Sequence, residues 1–167
     1  MIDLFYVLLT ITIILLILKL FFSFAYFYKI DKFEKTEIDE KKYTVLQPIL
    51  SGDPRLEEDL IANLKNTTDM NFIWLVDKSD KVAIDTVESI LKDENYSNRI
   101  EVHYLDDVPQ ELNPKIFKLA QVVDKIKTEY SIILDDDAVI DRKKLDELSV
   151  YEKDKSEWIA TGIPFNY

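Results

Sequence analysis

Residues 72–77 read FIWLVD, and residues 130–137 read YSIILDDD. Each is a short, nearly continuous apolar run that ends in acid. A strand buried on both faces has this form, because neither side of it meets water. Such strands belong to parallel sheets covered by helices. The flanking segments complete the pattern. Tyr43–Leu50 (YTVLQPIL) is β-rich and leads into a Gly52-Asp53-Pro54 turn. Leu56, Leu60, Ile61 and Leu64 recur at helical spacing, as do Val82, Val87, Ile90 and Leu91. Ile100–Leu105 alternates like a strand. Ile116, Leu119, Val122, Val123 and Ile126 mark a third helix, and Pro114 suits its first turn. Leu145, Leu148 and Tyr151 indicate a last helix, and Trp158–Thr161 a closing strand.

The order β-α-β-α-β-α-β-α-β predicts an α/β fold: a mostly parallel sheet with helices on both faces and right-handed crossovers. In such open sheets ligands sit beyond the carboxyl ends of the strands, at the switch point. That rule selects Gln47–Pro54, Asp77–Asp80 and Asp135–Asp137.

Composition removes several classes. The 167 residues carry 21 basic and 32 acidic side chains, a net charge of −11, which argues against a nucleic-acid binder. No cysteine is present, so neither a disulfide scaffold nor a thiolate-ligated metal site can form. Gly52 and Gly162 are the only glycines, so no Walker loop or GxGxxG turn can be written. That excludes a P-loop ATPase, a kinase and a dinucleotide dehydrogenase. The single histidine, His103, falls within a strand and has no partner motif.

Leu4–Tyr28 (LFYVLLTITIILLILKLFFSFAYFY) contains one charge, Lys19. As a helix it would be about 37 Å long, enough for a hydrocarbon core of ~30 Å. Its apolar core is longer than that of a cleaved signal peptide, and large aromatics follow it. Residues 1–28 therefore read as a retained transmembrane anchor. Tyr26, Phe27 and Tyr28 suit an interfacial aromatic belt, towards which Lys19 can snorkel. Lys29, Lys32, Lys35, Lys41 and Lys42 follow the span, whereas only Asp3 precedes it. This bias predicts a single-pass membrane protein whose soluble domain faces the cytoplasm. Residues 29–42 read as a charged linker and 43–167 as the folded domain.

The triplet Asp135-Asp136-Asp137 admits two readings. In an extended segment residues i and i+2 point the same way, so Asp135 and Asp137 would share a ligand while Asp136 faces elsewhere. A divalent ion such as Mg²⁺ or Mn²⁺ suits two such carboxylates together with phosphates. The plainer reading is a solvated acidic turn that caps the next helix.

Four stretches, in order, carry a resemblance. They are VLQPILSGDPRLEEDL (45–60), FIWLVDKSDKVAID (72–85), Leu112-Asn113-Pro114-Lys115, and YSIILDDDAVI (130–140) with ATGIPF (160–165) after it. Together they resemble the amino-terminal half of a ceramide-glucosyltransferase-like enzyme, within the wider family-2 (GT-A) glycosyltransferases. The resemblance implies inverting transfer of a sugar from a nucleotide-sugar, with a UDP-linked donor expected, to a lipid or membrane-proximal acceptor. It places Pro48, Asp53 and Asp136 beside the donor. Asp77 and Asp80 compete for the uridine, and Lys115 lies near the diphosphate or acceptor. Asp135 and Asp137 would hold the metal.

Departures accompany the match. Gln47 stands where the family has Lys, and Leu112 where it has Gly. The family's third acidic motif, its presumed catalytic base, is absent, as is its Gln/Arg-x-x-Arg-Trp motif. No residue here is thus assigned as a catalytic base. The expectation is a truncated, donor-binding half, completed by a second polypeptide or a second copy. The alternative is a non-catalytic, membrane-anchored nucleotide- or metal-binding remnant of that fold. A third possibility is an unrelated acidic α/β module whose Asp triplet merely coordinates Mg²⁺.

Overall fold

In the computed structural model, residues Ile2–Asp31 form one continuous helix, α1. The structure describes residues 2–31, 36–106, 108–109, 111–152 and 158–160. Within α1, Leu4–Tyr28 is exposed along its whole length and is long and apolar enough to cross a membrane. The chain divides into two compact units, Ile38–Leu145 on one side and Met1–Glu37 with Asp146–Tyr167 on the other.

Four parallel strands organise the first unit: β1 (Tyr43–Ile49), β2 (Asn71–Asp77), β3 (Ile100–Leu105) and β4 (Tyr130–Ile133), in the order β3-β2-β1-β4. The two central strands are the most apolar. Phe72–Val76 is buried without a break, and β1 is buried except at the half-buried Pro48. The edge strands β3 and β4 are only partly covered. Register pairs Val45 with Phe72 and Leu46 with both Ile73 and Ile133.

Helices α2 (Leu56–Asn66), α3 (Lys81–Leu91), α4 (Glu94–Ser97), α5 (Pro114–Ala120) and α6 (Arg142–Leu145) connect and follow the strands. Asp80 caps α3 by accepting from the Ala83 N–H, and Asn113 caps α5 ahead of Pro114. From β1 to β3 the chain steps outward. It then returns past β1 to β4, so right-handed crossovers put α5 on the face opposite α2 and α3. One face packs Leu46, Ile73, Leu75 and Leu105 against Leu119, Val122 and Ile126. Strand alternation turns Val45, Phe72, Trp74 and Val76 to the other face, where the buried stripes of α2 (Leu56, Leu60, Leu64) and α3 (Ala83, Val87, Ile90) lie.

The end of the charged segment joins this unit. Ile38 and Glu40 are buried, and Glu40 Oε2 accepts from the backbone N–H groups of Thr68 (2.6 Å) and Asp69 (2.7 Å). Arg142 Nε lies 3.5 Å from Glu40 Oε1.

Three elements differ from the sequence pattern. The third helix ends at Ala120, and a separate 3₁₀ turn follows at Val123–Lys125. The β-branched pair Val122-Val123 disfavours helix, and the break buries Val122 while Val123 stays exposed. The last helix is three short pieces: α6, a 3₁₀ turn at Asp146–Leu148, and α7 (Ser149–Glu152). Trp158–Ala160 forms no strand, and Thr161 lies outside the described residues, as does the rest of ATGIPF. Lys32 and Lys35 lie outside them too.

Candidate functional site

The strand order reverses between β1 and β4, and the region beyond their carboxyl ends is where ligands sit in sheets of this kind. Asp135, Asp136 and Asp137 leave β4 there. They are not extended. The Ala138 N–H donates to the Asp135 carbonyl at 3.2 Å, closing a turn. This corrects the extended geometry assumed from sequence, although Asp135 and Asp137 both remain exposed. Asp136 is half-buried and turns back, its Oδ2 accepting from the Leu50 N–H at 2.8 Å. Burial pushes the Asp136 carboxyl above its ordinary value. The Leu50 N–H opposes that shift, and the charges of Asp137 and Asp135 add to it.

Lys115, from the first turn of α5, forms an ion pair with Asp135 Oδ1. Beneath them, Gln47 is fully buried, and its Nε2 donates to the Asp135 carbonyl at 3.1 Å. Gln47 Oε1 is buried without a hydrogen-bond partner. Helix α2 holds the far side of the turn. Asn63, also fully buried, donates to the Ala138 carbonyl (2.9 Å) and accepts from the Ile140 N–H (2.7 Å). Asn66 Nδ2 donates to the Ile140 carbonyl at 2.8 Å.

The neighbouring strand end carries Asp77 and Asp80. Lys118 from α5 is buried and meets Asp77 Oδ2 at 2.8 Å, while the buried Asp77 Oδ1 has no hydrogen-bond partner. Asp80 is fully engaged: Oδ1 accepts from the Ala83 N–H (3.1 Å) and Oδ2 from the Ser51 N–H (2.7 Å). Burial raises the Asp80 carboxyl, but the bonds from Ser51 and Ala83 and the charge of Lys118 outweigh it and hold it below its ordinary value. Asp53 is half-buried in the loop after β1, where its Oδ1 accepts from the Arg55 N–H at 2.7 Å. Pro48 lies in β1 opposite Leu75.

The segments that follow β1, β2 and β4 are thus tied together by Ser51–Asp80, Leu50–Asp136 and Gln47–Asp135, with Pro48 in β1 and Lys115 on α5. His103 pairs instead with Glu101 on β3, at 2.8 Å. Sequence reading passed over Lys118, Asn63 and Asn66. Two of them carried a signal: Lys118 lies three residues after Lys115 and four before the buried Val122, and Asn63 interrupts the buried stripe of α2.

Charge also frames what the site could hold. Among the described residues no three carboxylate or imidazole side chains cluster closely enough to hold a metal ion by themselves. Two exposed carboxylates on one turn nevertheless fit a hard divalent ion whose remaining ligands are phosphate and water.

The sheet order defines a doubly wound α/β fold with an acidic turn at its switch point. Its structural likeness is to the mannosyltransferase PcManGT from Pyrobaculum calidifontis, solved with GDP-mannose and Mn²⁺, at a TM-score of 0.56 and 14% identity. The likeness covers 79% of this chain and 40% of that one, so the chain spans well under half of its neighbour's length. No family profile and no curated protein matches the chain.

Proposed function

We propose that the chain is a membrane-anchored, donor-binding half of a glycosyltransferase that uses a nucleotide-sugar. One observation carries the reading. An acidic turn is clamped at the switch point of a sheet shared with a nucleotide-sugar enzyme. The four motif-like stretches favour the ceramide-glucosyltransferase-like branch of family 2, a UDP-linked donor and a lipid or membrane-proximal acceptor. Helix α1 would anchor the site on the cytoplasmic face.

The chain's own residues bind and orient. Asp77 and Asp80 are the two candidates for a base N–H: each Asp80 oxygen already accepts one backbone N–H, and the spare acceptor of Asp77, Oδ1, is buried. Pro48 and Asp53 border the nucleotide. Asp136 couples the acidic turn to the loop after β1. Lys115 offers a cation to the diphosphate. A divalent ion held by Asp135 and Asp137 would supply charge for the departing nucleoside diphosphate. The catalytic base is assigned to none of these side chains. A second polypeptide or second copy would lie along β4, where Ile133 is 56% exposed.

Calorimetric titration of the detergent-purified chain tests the reading with UDP, UDP-glucose and GDP-mannose, each with and without Mn²⁺. The expected result is Mn²⁺-dependent binding that disappears in Asp135→Asn/Asp137→Asn. No binding by folded protein refutes it. Preference for GDP-mannose would correct the nucleotide alone. Binding without transfer to any lipid acceptor, even with a completing partner, would favour the non-catalytic remnant.

A further inference from the structure

Among the described residues, the unit built on α1 contains a second group of aromatic side chains. Tyr26 OH lies 3.0 Å from Tyr151 OH on α7. The Tyr151 ring in turn packs on Trp158, with centroids 5.2 Å apart and planes at 35°. Ile159 follows, 94% exposed. The Thr36 N–H donates to Ser149 Oγ at 3.0 Å, and Ser149 Oγ donates to the Asp146 carbonyl at 2.6 Å. The first bond holds α7 beside the chain that follows α1, and the second is local to the turn before α7.

We infer that Tyr151, Trp158 and Ile159 form a second membrane contact, seated in the headgroup region of the bilayer that receives the end of α1. This rests on the reading of α1 as a membrane span. The level follows from helix geometry. The apolar stretch ends at Tyr28, and Tyr26 lies two residues inside it, about 3 Å along the axis. A side chain hydrogen-bonded to Tyr26 is therefore at the last turn of the span. Tyr and Trp favour that depth because each has an apolar ring and one polar group. Ile159 then has an apolar phase beside it instead of water. The occupant is lipid rather than a protein partner, because the patch continues the belt formed by Tyr26, Phe27 and Tyr28. The sequence between Tyr151 and Trp158 carries both signs, with Lys153 and Lys155 outnumbered by Glu152, Asp154 and Glu157, so no basic excess draws it to anionic lipid and burial of apolar surface drives the contact. It should persist in purely zwitterionic bilayers and at high salt.

The full chain has two tryptophans, and Trp74 is wholly buried in the sheet. Trp74→Phe leaves Trp158 as sole reporter in phosphatidylcholine vesicles. The expected result is emission quenched severalfold more by a shallow lipid nitroxide than by one at mid-chain, and shielded from aqueous iodide. Because the chain lacks cysteine, Ile159→Cys gives a second probe that leaves the core intact. A polarity-sensitive dye there should shift to the blue in vesicles, independently of protein-to-lipid ratio.

Flotation and resistance to alkaline extraction read α1 separately. Protein that floats while both probes report water overturns the second contact and spares the anchor. Protein that does not float overturns both. A blue shift that grows with protein-to-lipid ratio assigns the patch to a second copy and also overturns the inference.

Discussion

Removing Lys118 should damage the chain more than removing any exposed charge beyond the carboxyl ends of the strands. Its ammonium is buried 2.8 Å from Asp77 Oδ2. At that separation and an effective dielectric of about 20, the attraction is about 6 kcal/mol before desolvation is subtracted. Lys118→Met leaves the Asp77 carboxylate inside with neither its cation nor a hydrogen bond at Oδ1. Breaking such a pair from one side costs about 3–5 kcal/mol, a large part of the 5–15 kcal/mol that usually holds a domain together. Removing both charges, in Lys118→Met/Asp77→Leu, should recover most of the loss, because no uncompensated ion remains.

Urea unfolding of the full chain measures this, with Trp158→Phe as background so that Trp74 alone reports. With a slope of about 1–3 kcal/mol per molar, the single variant should lower the midpoint by roughly 2 M. A cost below about 1 kcal/mol for Lys118→Met, or a double variant as weak as the sum of the two singles, would refute the reasoning.

Other outcomes follow from the same contacts. Asp80→Asn should destabilise at neutral pH. Because the folded carboxyl sits below its ordinary value, the wild-type advantage is present above pH ~4 and disappears as pH falls through the lowered folded value, which unfolding at stepped pH will read. Asp136→Asn should have the opposite sign. A carboxyl raised by burial penalises the charged native state, so the variant should gain stability at neutral pH and lose that gain on acidification, as the same series will show. Glu40→Gln should cost about 1–3 kcal/mol, because a neutral amide oxygen replaces the carboxylate that receives the Thr68 and Asp69 N–H groups; thermal unfolding will measure it.

The sheet was legible because short apolar runs leave a strong mark: FIWLV is buried on both faces, and YSIIL forms the edge strand β4 with partial cover. The start of α5 was legible too, since Pro114 suits a helix's first turn. What escaped the sequence depends on long-range packing. Nothing local states that Lys118 is buried, because a lysine on a short helix usually faces water, and its partner Asp77 lies 41 positions away. Gln47 stood out only as a departure from a pattern, whereas in the fold it supports the acidic turn from below. Of the two readings of the Asp triplet the structure has the turn, and three acids in a row give no local sign of the Ala138–Asp135 bond that closes it. The last helix fragmented where Leu145, Leu148 and Tyr151 had helical spacing but few other apolar neighbours to sustain it.

The acidic turn is fastened by Leu50, Gln47, Asn63 and Asn66 before any ligand arrives. Fixing a loop residue costs roughly 1–2 kcal/mol of conformational entropy, and here folding has already met that cost. An incoming anion therefore has little ordering to wait for. Its capture is governed by the electric field around the protein, and a net charge of −11 makes that field repulsive. Salt that screens the field should speed encounter, the reverse of the usual rule for charged partners. Under the proposed function, Lys115, the cation paired with Asp135, would act on such an anion through the local potential as well as by contact.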